Sequence, residues 1–156
     1  MWPASEPPGS STPLQPLSSA EGRFRIGLPA KDEDPDLDKN SESKRYNWFL
    51  LNIGRFQVLY LDRDFALDTP DVRQSIFDSY RNRGLSHGKL VSDSEMTLAG
   101  HPGREFRVTN EAGTQIDRIF LAGNRIYILS VFVPEGLSCK LDSAVKILDT
   151  FEIIDE

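Results

Sequence analysis

The chain has 156 residues, a formal net charge of −6, a pI near 5.0 and one cysteine. That length holds one domain plus tails around a single substantial core. The acidic balance speaks against non-specific nucleic-acid binding, which needs positive charge. The lone Cys139 excludes an intrachain disulfide or a cysteine-rich metal knuckle. No window combines the basic and apolar regions of a signal peptide, and none is long enough to cross a bilayer.

Residues Met1–Ala20 carry Pro3, Pro7, Pro8, Pro13 and Pro16 among serines and glycines, with no periodic apolar pattern. Such a stretch cannot bury enough surface to offset its ordering entropy, which predicts a disordered Pro/Ser-rich tail over 1–20 and one α/β domain over 21–156. The prolines lack basic flanks, so a spacer or tether is expected rather than a ligand for an SH3-like partner. Gly22–Pro29 then alternates, with Phe24, Ile26 and Leu28 inward, as a first strand with one wet face. The acidic run Asp32, Glu33, Asp34, Asp36 and Asp38 has the spacing that begins a calcium loop. Leu37 stands where that loop needs its glycine and Ser43 where it needs a bidentate Glu, so a solvated loop is expected, with a weak divalent-ion site over Asp32–Asp38 as the alternative.

Lys44–Ile53 and Arg55–Asp62 read as a hairpin, with Tyr46, Trp48, Leu50, Phe56, Val58 and Tyr60 inward. Thr69-Pro70 starts a helix whose apolar face is Val72, Ile76, Phe77 and Tyr80, with Gly84 as its expected left-handed stop. Lys89–Leu98 is a more polar strand, expected near an edge. Gly100, Pro102 and Gly103 are expected to form a tight structural turn into strand Arg104–Thr109. Short loops at Asn110–Gly113 and Ala122–Asn124 then give an antiparallel meander. A turn at Asn110–Gly113 sets Thr109 opposite Thr114 and Glu105 opposite Arg118, a cross-strand ion pair that pins register.

The stretch Arg125–Val133 organises the rest. At a period of two, Ile126, Ile128, Ser130 and Phe132 share one face, and Tyr127, Leu129, Val131 and Val133 share the other. A run apolar on both sides and rich in β-branched and aromatic residues predicts a central strand covered on both faces. Leu137, Leu141, Ala144, Val145 and Leu148 predict a closing helix capped by Ser138, followed by a short strand or anchor at Phe151–Ile154.

No catalytic constellation emerges. The chain lacks G-x-S-x-G, phosphate-binding glycine loops, H-E-x-x-H and C-x-x-C. His87 is expected in a loop, His101 as a turn residue and Cys139 as a plain thiol at the start of the closing helix. No catalytic, cofactor-binding or metal-ligating residue is therefore assigned.

The phrases Glu21–Pro29, Tyr60-Leu-Asp62, Ala99–Phe106, Asn124–Leu129 and Leu148-Asp-Thr-Phe151 resemble the PsbP-like α/β/α superfamily. That superfamily includes the photosystem II subunit PsbP, a Ran-binding import factor and DcrB-like bacterial lipoproteins, and the likeness is nearest to its uncharacterised bacterial members. The resemblance covers Glu21–Ile154 and implies an α+β fold, with a central antiparallel sheet of about six to seven strands flanked by helices. It also implies a non-enzymatic binding or assembly role, often outside the cytoplasm, and carries over no functional residue. The expected function is a non-catalytic binding or assembly module with a protein partner and no cofactor, tethered at an envelope if a lipid-attachment signal lies upstream. The alternatives are a small hydrolase using scattered carboxylates and His101, and a chaperone-like docking adaptor.

Overall fold

The structure, a computed structural model, describes residues 14–29, 36–39, 43–50, 53–67 and 69–154. In chain order these form strands β1 (Leu14–Ser19), β2 (Phe24–Pro29), β3 (Asp36–Lys39), β4 (Ser43–Leu50) and β5 (Gly54–Asp62), then helix α1 (Pro70–Leu85). Strands β6 (Lys89–Leu98), β7 (His101–Asn110), β8 (Gly113–Ala122) and β9 (Arg125–Pro134) follow. A 3-10 turn at Glu135–Lys140, helix α2 (Leu141–Asp149) and strand β10 (Glu152–Ile153) close the chain. Among the described residues, seven strands build an antiparallel sheet ordered β3-β4-β5-β9-β8-β7-β6, and β1-β2-β10 build a smaller one. The fold is α+β, a central antiparallel sheet flanked by helices.

Strand β9 occupies the middle position of the large sheet, paired with β5 and β8. Tyr127, Leu129, Val131 and Val133 pack into one core with Phe56, Val58 and Tyr60 of β5 and Ile116 and Phe120 of β8. Phe24, Ile26 and Leu28 of β2 and Ala144, Ile147 and Leu148 of α2 cover that core, so the small sheet and α2 share this face. On the opposite face Ile126, together with Leu61, Ile119, Leu121 and Phe106, packs under Phe77 of α1 and Leu67 of the preceding loop. The α2 side of the strand is covered along its whole length and the α1 side over its first half, which is why its sequence has little polar alternation. The polar strand β6 lies at the sheet edge. A bulge between Leu90 and Ser92 and alternating charges at Asp93 and Glu95 suit an edge that must not pair with another chain.

A buried arginine ties the small sheet to the large one. The Arg125 guanidinium holds the Asp62 carboxylate through both oxygens, at 2.6 and 2.9 Å. Its Nη1 donates to the backbone carbonyls of Glu21 and Gly22 at 3.1 and 3.0 Å, and Tyr127 Oη donates to Gly22 at 2.5 Å. Arg125 also lies 4.7 Å from the centre of the Tyr60 ring. The start of β2 is thereby fastened to the first turn of the central strand. The hydrogen bonds from Arg125 hold the Asp62 carboxyl below its usual range.

Several local expectations need correction. Leu14–Ser19, expected to belong to the proline-rich tail, forms β1 and pairs with β2 along its whole length. Its Pro16 is tolerated because β1 is the outer strand of its sheet, and Leu17 packs against the core. Residues 1–13 lie outside the described residues. Gly84 does not stop α1 in a left-handed conformation; the helix runs on to Leu85, with Ser86 capping in a right-handed one. Thr69 does cap its start, accepting from Val72 N, with Pro70 next. Ser138 is no cap for α2, because it sits inside the 3-10 turn and the helix begins at Leu141 without a side-chain cap. The β6–β7 turn is made by Ala99 and Gly100, both at positive φ (51° and 85°), as a two-residue hairpin requires. Pro102 and Gly103 belong to β7 instead. Gly103 is needed there for space, since a Cβ would stand 2.4 Å from the Phe120 ring.

Leu129 is fully buried beneath α2 and the small sheet, whereas Val91 on the edge strand is 60 % exposed. Leu129→Ala is expected to lower unfolding stability by about 3 kcal/mol, and Val91→Ser to change it by less than about 0.5 kcal/mol. Urea unfolding of the two variants checks the difference.

Candidate functional site

The face under α1 is apolar only in part. The register places Leu59, Ile128 and Ile119 in one cross-strand row on this face. One step further from the β8–β9 turn, the row reads Asn47, Gln57, Ser130 and Asp117 across β4, β5, β9 and β8. Beyond it Arg55, Phe132, Gln115 and Val108 align. The sheet face thus switches from apolar to polar between adjacent rows, and α1 ends beside that switch.

The polar row is internally bonded. Gln57 Nε2 donates to Asn47 Oδ1 at 2.6 Å, and Ser130 donates to Asp117 Oδ1 at 2.5 Å. Gln115 Nε2 donates to the same Asp117 oxygen at 3.1 Å and reaches its Oδ2 at 3.4 Å. Asp117 lines a pocket of about 30 Å³ with Gly84, His87, Val108, Asn110, Gly113, Gln115 and Phe132. Asn110 braces the rim: its Nδ2 donates to the His87 carbonyl at 2.7 Å, and its Oδ1 accepts from Ala112 N and Gly113 N. Burial pushes the Asp117 carboxyl above its ordinary value, against the lowering effect of Ser130, Gln115 and His87. The arrangement offers a desolvated carboxylate with one oxygen strongly bonded, beside an aromatic ring. It is suited to binding a hydrogen-bond donor.

The opposite face carries the sequence-derived ion pair. Glu105 stands opposite Arg118 in register, with Arg118 Nε 2.8 Å from Glu105 Oε2, and both residues are buried. Arg107 Nε donates to the other Glu105 oxygen at 2.9 Å, and Arg118 Nη1 reaches Asp149 at the end of α2 at 2.7 Å. The network therefore ties α2 to the sheet. Burial alone would raise the Glu105 carboxyl, but hydrogen bonds from Arg118 and Arg107 outweigh it and the net shift is downward.

Strand pairing puts His101 on the face of Glu105 and Arg118, through Leu98 and the in-register β7, so it projects to the side opposite Asp117. His101 and Asp117 are therefore not brought together. His87, by contrast, lines the Asp117 pocket. Cys139 is exposed within the 3-10 turn rather than at a helix start. Among the described residues, no group of three or more His, Cys, Asp or Glu is placed to hold a metal. Asp36–Lys39 form β3, and the rest of the acidic run, 31–35, lies outside the described residues, as does the side chain of Trp48. No described helix is long and apolar enough to cross a membrane.

No protein-family model matches the chain, and no curated protein sequence matches it significantly. Among solved structures it is similar to cyanobacterial PsbP from Synechocystis sp. PCC 6803, at 10 % identity and a TM-score of 0.62, over 96 % of this chain and 98 % of that one. A Bacteroides thetaiotaomicron structure matches at 17 % identity and a TM-score of 0.49, over 90 % of this chain and 48 % of that one. A Pseudomonas aeruginosa protein of unknown function matches at 10 % identity and a TM-score of 0.45, over 88 % and 94 %. The likeness to PsbP shows a PsbP-like fold.

The two carboxylates are expected to pull stability in opposite directions with pH. Asp117 has a raised folded value, so its ionisation penalises the fold as pH climbs above 3.8. Glu105 has a lowered one, so its contribution is present above 4.5 and is lost as pH falls through the folded value. Relative to the parent chain, Asp117→Asn should gain stability as pH rises from acid to neutral, and Glu105→Gln should lose it. Denaturant titrations between about pH 3 and 7 read both slopes.

Proposed function

We propose that this PsbP-like domain is a non-catalytic binding module that docks a protein partner on the exposed part of the α1 face. The observation that carries this reading is the row Asn47–Gln57–Ser130–Asp117, a bonded polar strip crossing four strands of a sheet whose neighbouring row is apolar. A polar row costs stability relative to an apolar one under a longer helix, so its place beside a half-buried Phe132 favours a surface kept for contact. The strip lies on the rigid middle of the sheet rather than on loops, which lets a partner bind without first ordering the domain. The hydrogen bonds around Asp117 come from Ser130 and Gln115 acting as donors, an arrangement that holds the carboxylate in a fixed place on the sheet.

A photo-crosslinking residue placed at Gln57, in the strip, and at Lys146, exposed on α2, tests the reading in cells of the source organism. Adducts with a discrete protein from position 57 and none from position 146 are expected. Equal labelling from both positions, or labelling from 146 alone, contradicts it.

A further inference from the structure

We infer that the pocket beside Asp117 is a subsite for one lysine side chain of the partner, which it receives as a primary ammonium. This rests on the docking reading above and specifies what that surface takes. Three observations lead to it. The first is charge: a carboxylate on the pocket wall is joined by the last turn of α1, since Gly84 lines the same space, with His87 just past the helix end. The C-terminal end of a helix carries partial negative charge, so carboxylate and helix end both favour a cation there.

The second is hydrogen-bond capacity. Oδ1 of Asp117 already accepts from Ser130 at 2.5 Å and Gln115 at 3.1 Å, which leaves Oδ2 with only a 3.4 Å approach from Gln115. An arginine is recognised best when both carboxylate oxygens take its parallel N–H groups, and that geometry is used up here. A single oxygen suits the point charge of an ammonium. The third is size. A pocket of about 30 Å³ admits a head the size of a water molecule or two. The planar guanidinium needs more room. Phe132 on the wall adds an apolar surface for the lysine stem.

Other charges near the subsite set the conditions of the test. His87 lines the pocket; Arg55 stands opposite Phe132 on the neighbouring strand and is exposed. Arg83 sits in the last turn of α1, where its guanidinium lies 5.1 Å from the centre of the Tyr80 ring. Binding is therefore measured at low ionic strength, where the attraction of the carboxylate for a cation is least screened.

The experiment titrates the isotopically labelled full chain with N-acetyl-lysine methylamide, following the amides of Gly84, Gly113 and Gln115 and the Asp117 side-chain carboxyl by NMR. Its Nε-acetylated counterpart and the equivalent arginine compound serve as comparisons. Saturable shifts with the lysine compound are expected, about tenfold weaker in Asp117→Asn and with either comparison compound, the loss a charge-assisted hydrogen bond supplies. Asp117→Asn keeps the side-chain shape and an acceptor for Ser130, and its amide spectrum reports that the fold is intact. Equal response in Asp117→Asn, equal or tighter binding of the arginine compound, or no saturable response overturns the inference. Crosslinks from position 57 in the presence of such a result would leave the docking surface standing without its lysine subsite, so the two readings fail separately.

Discussion

The fold depends on keeping the middle strand out of water on both sides. In β9, Tyr127, Leu129, Val131 and Val133 are buried toward α2 and the small sheet, and Ile126 is buried toward α1. Four fully buried apolar side chains on one strand face contribute of order 1.5–3 kcal/mol each, a large share of the net stability of a domain this size. A strand with that content cannot serve as an edge or be covered on one side only. Everything else is arranged to supply the second layer: α1 on one face, and α2 with β1, β2 and β10 on the other. Arg125 at the start of the same strand adds direction to this non-directional pull, because its four hydrogen bonds to Asp62, Glu21 and Gly22 fix where the small sheet attaches.

The two faces of the sheet are treated differently. Toward α2 the apolar lining continues from Tyr127 to Val133, and the charges within it at Glu105 and Arg118 are paired with each other and with Arg107 and Asp149. Such a buried network fixes register and helix position more than it adds stability. Toward α1 the lining stops after Ile128, and a polar row takes over where the helix ends. The difference arises from coverage: a row left uncovered must either be hydrated or meet something else. Asp117 and Ser130 answer that with side chains already bonded to each other, so the surface is ordered before any partner arrives.

Much of this architecture was legible in the residues. The β-branched run at Arg125–Val133 points to a central strand with apolar cover, complete toward α2 and partial toward α1, and the Asn110–Gly113 loop sets Glu105 against Arg118 by counting alone. The same counting across Gly123–Asn124 sets Asp117 against Ser130, because Ala122 faces Arg125. The pair carries no functional signal in the sequence, because its meaning depends on where α1 ends, a matter of tertiary packing. The partnership of Gln57 with Ser130 joins strands far apart in sequence and has no local signal. Strand β1 is masked in the sequence by Pro16, which an outer strand tolerates and an inner one does not. Pro102 and Gly103 looked like turn residues, yet the turn falls at Ala99–Gly100 and the glycine serves the Phe120 ring instead.

The central proposition, that β9 is the doubly covered core of the molecule, is tested most directly by native-state hydrogen exchange. The amides of Ile126–Val133 should be among the slowest in the chain and exchange only through global unfolding, with the edge strand β6 opening at lower free energy. Exchange of the β9 amides as fast as those of β6, or through a local opening that leaves the remaining strands protected, would contradict it.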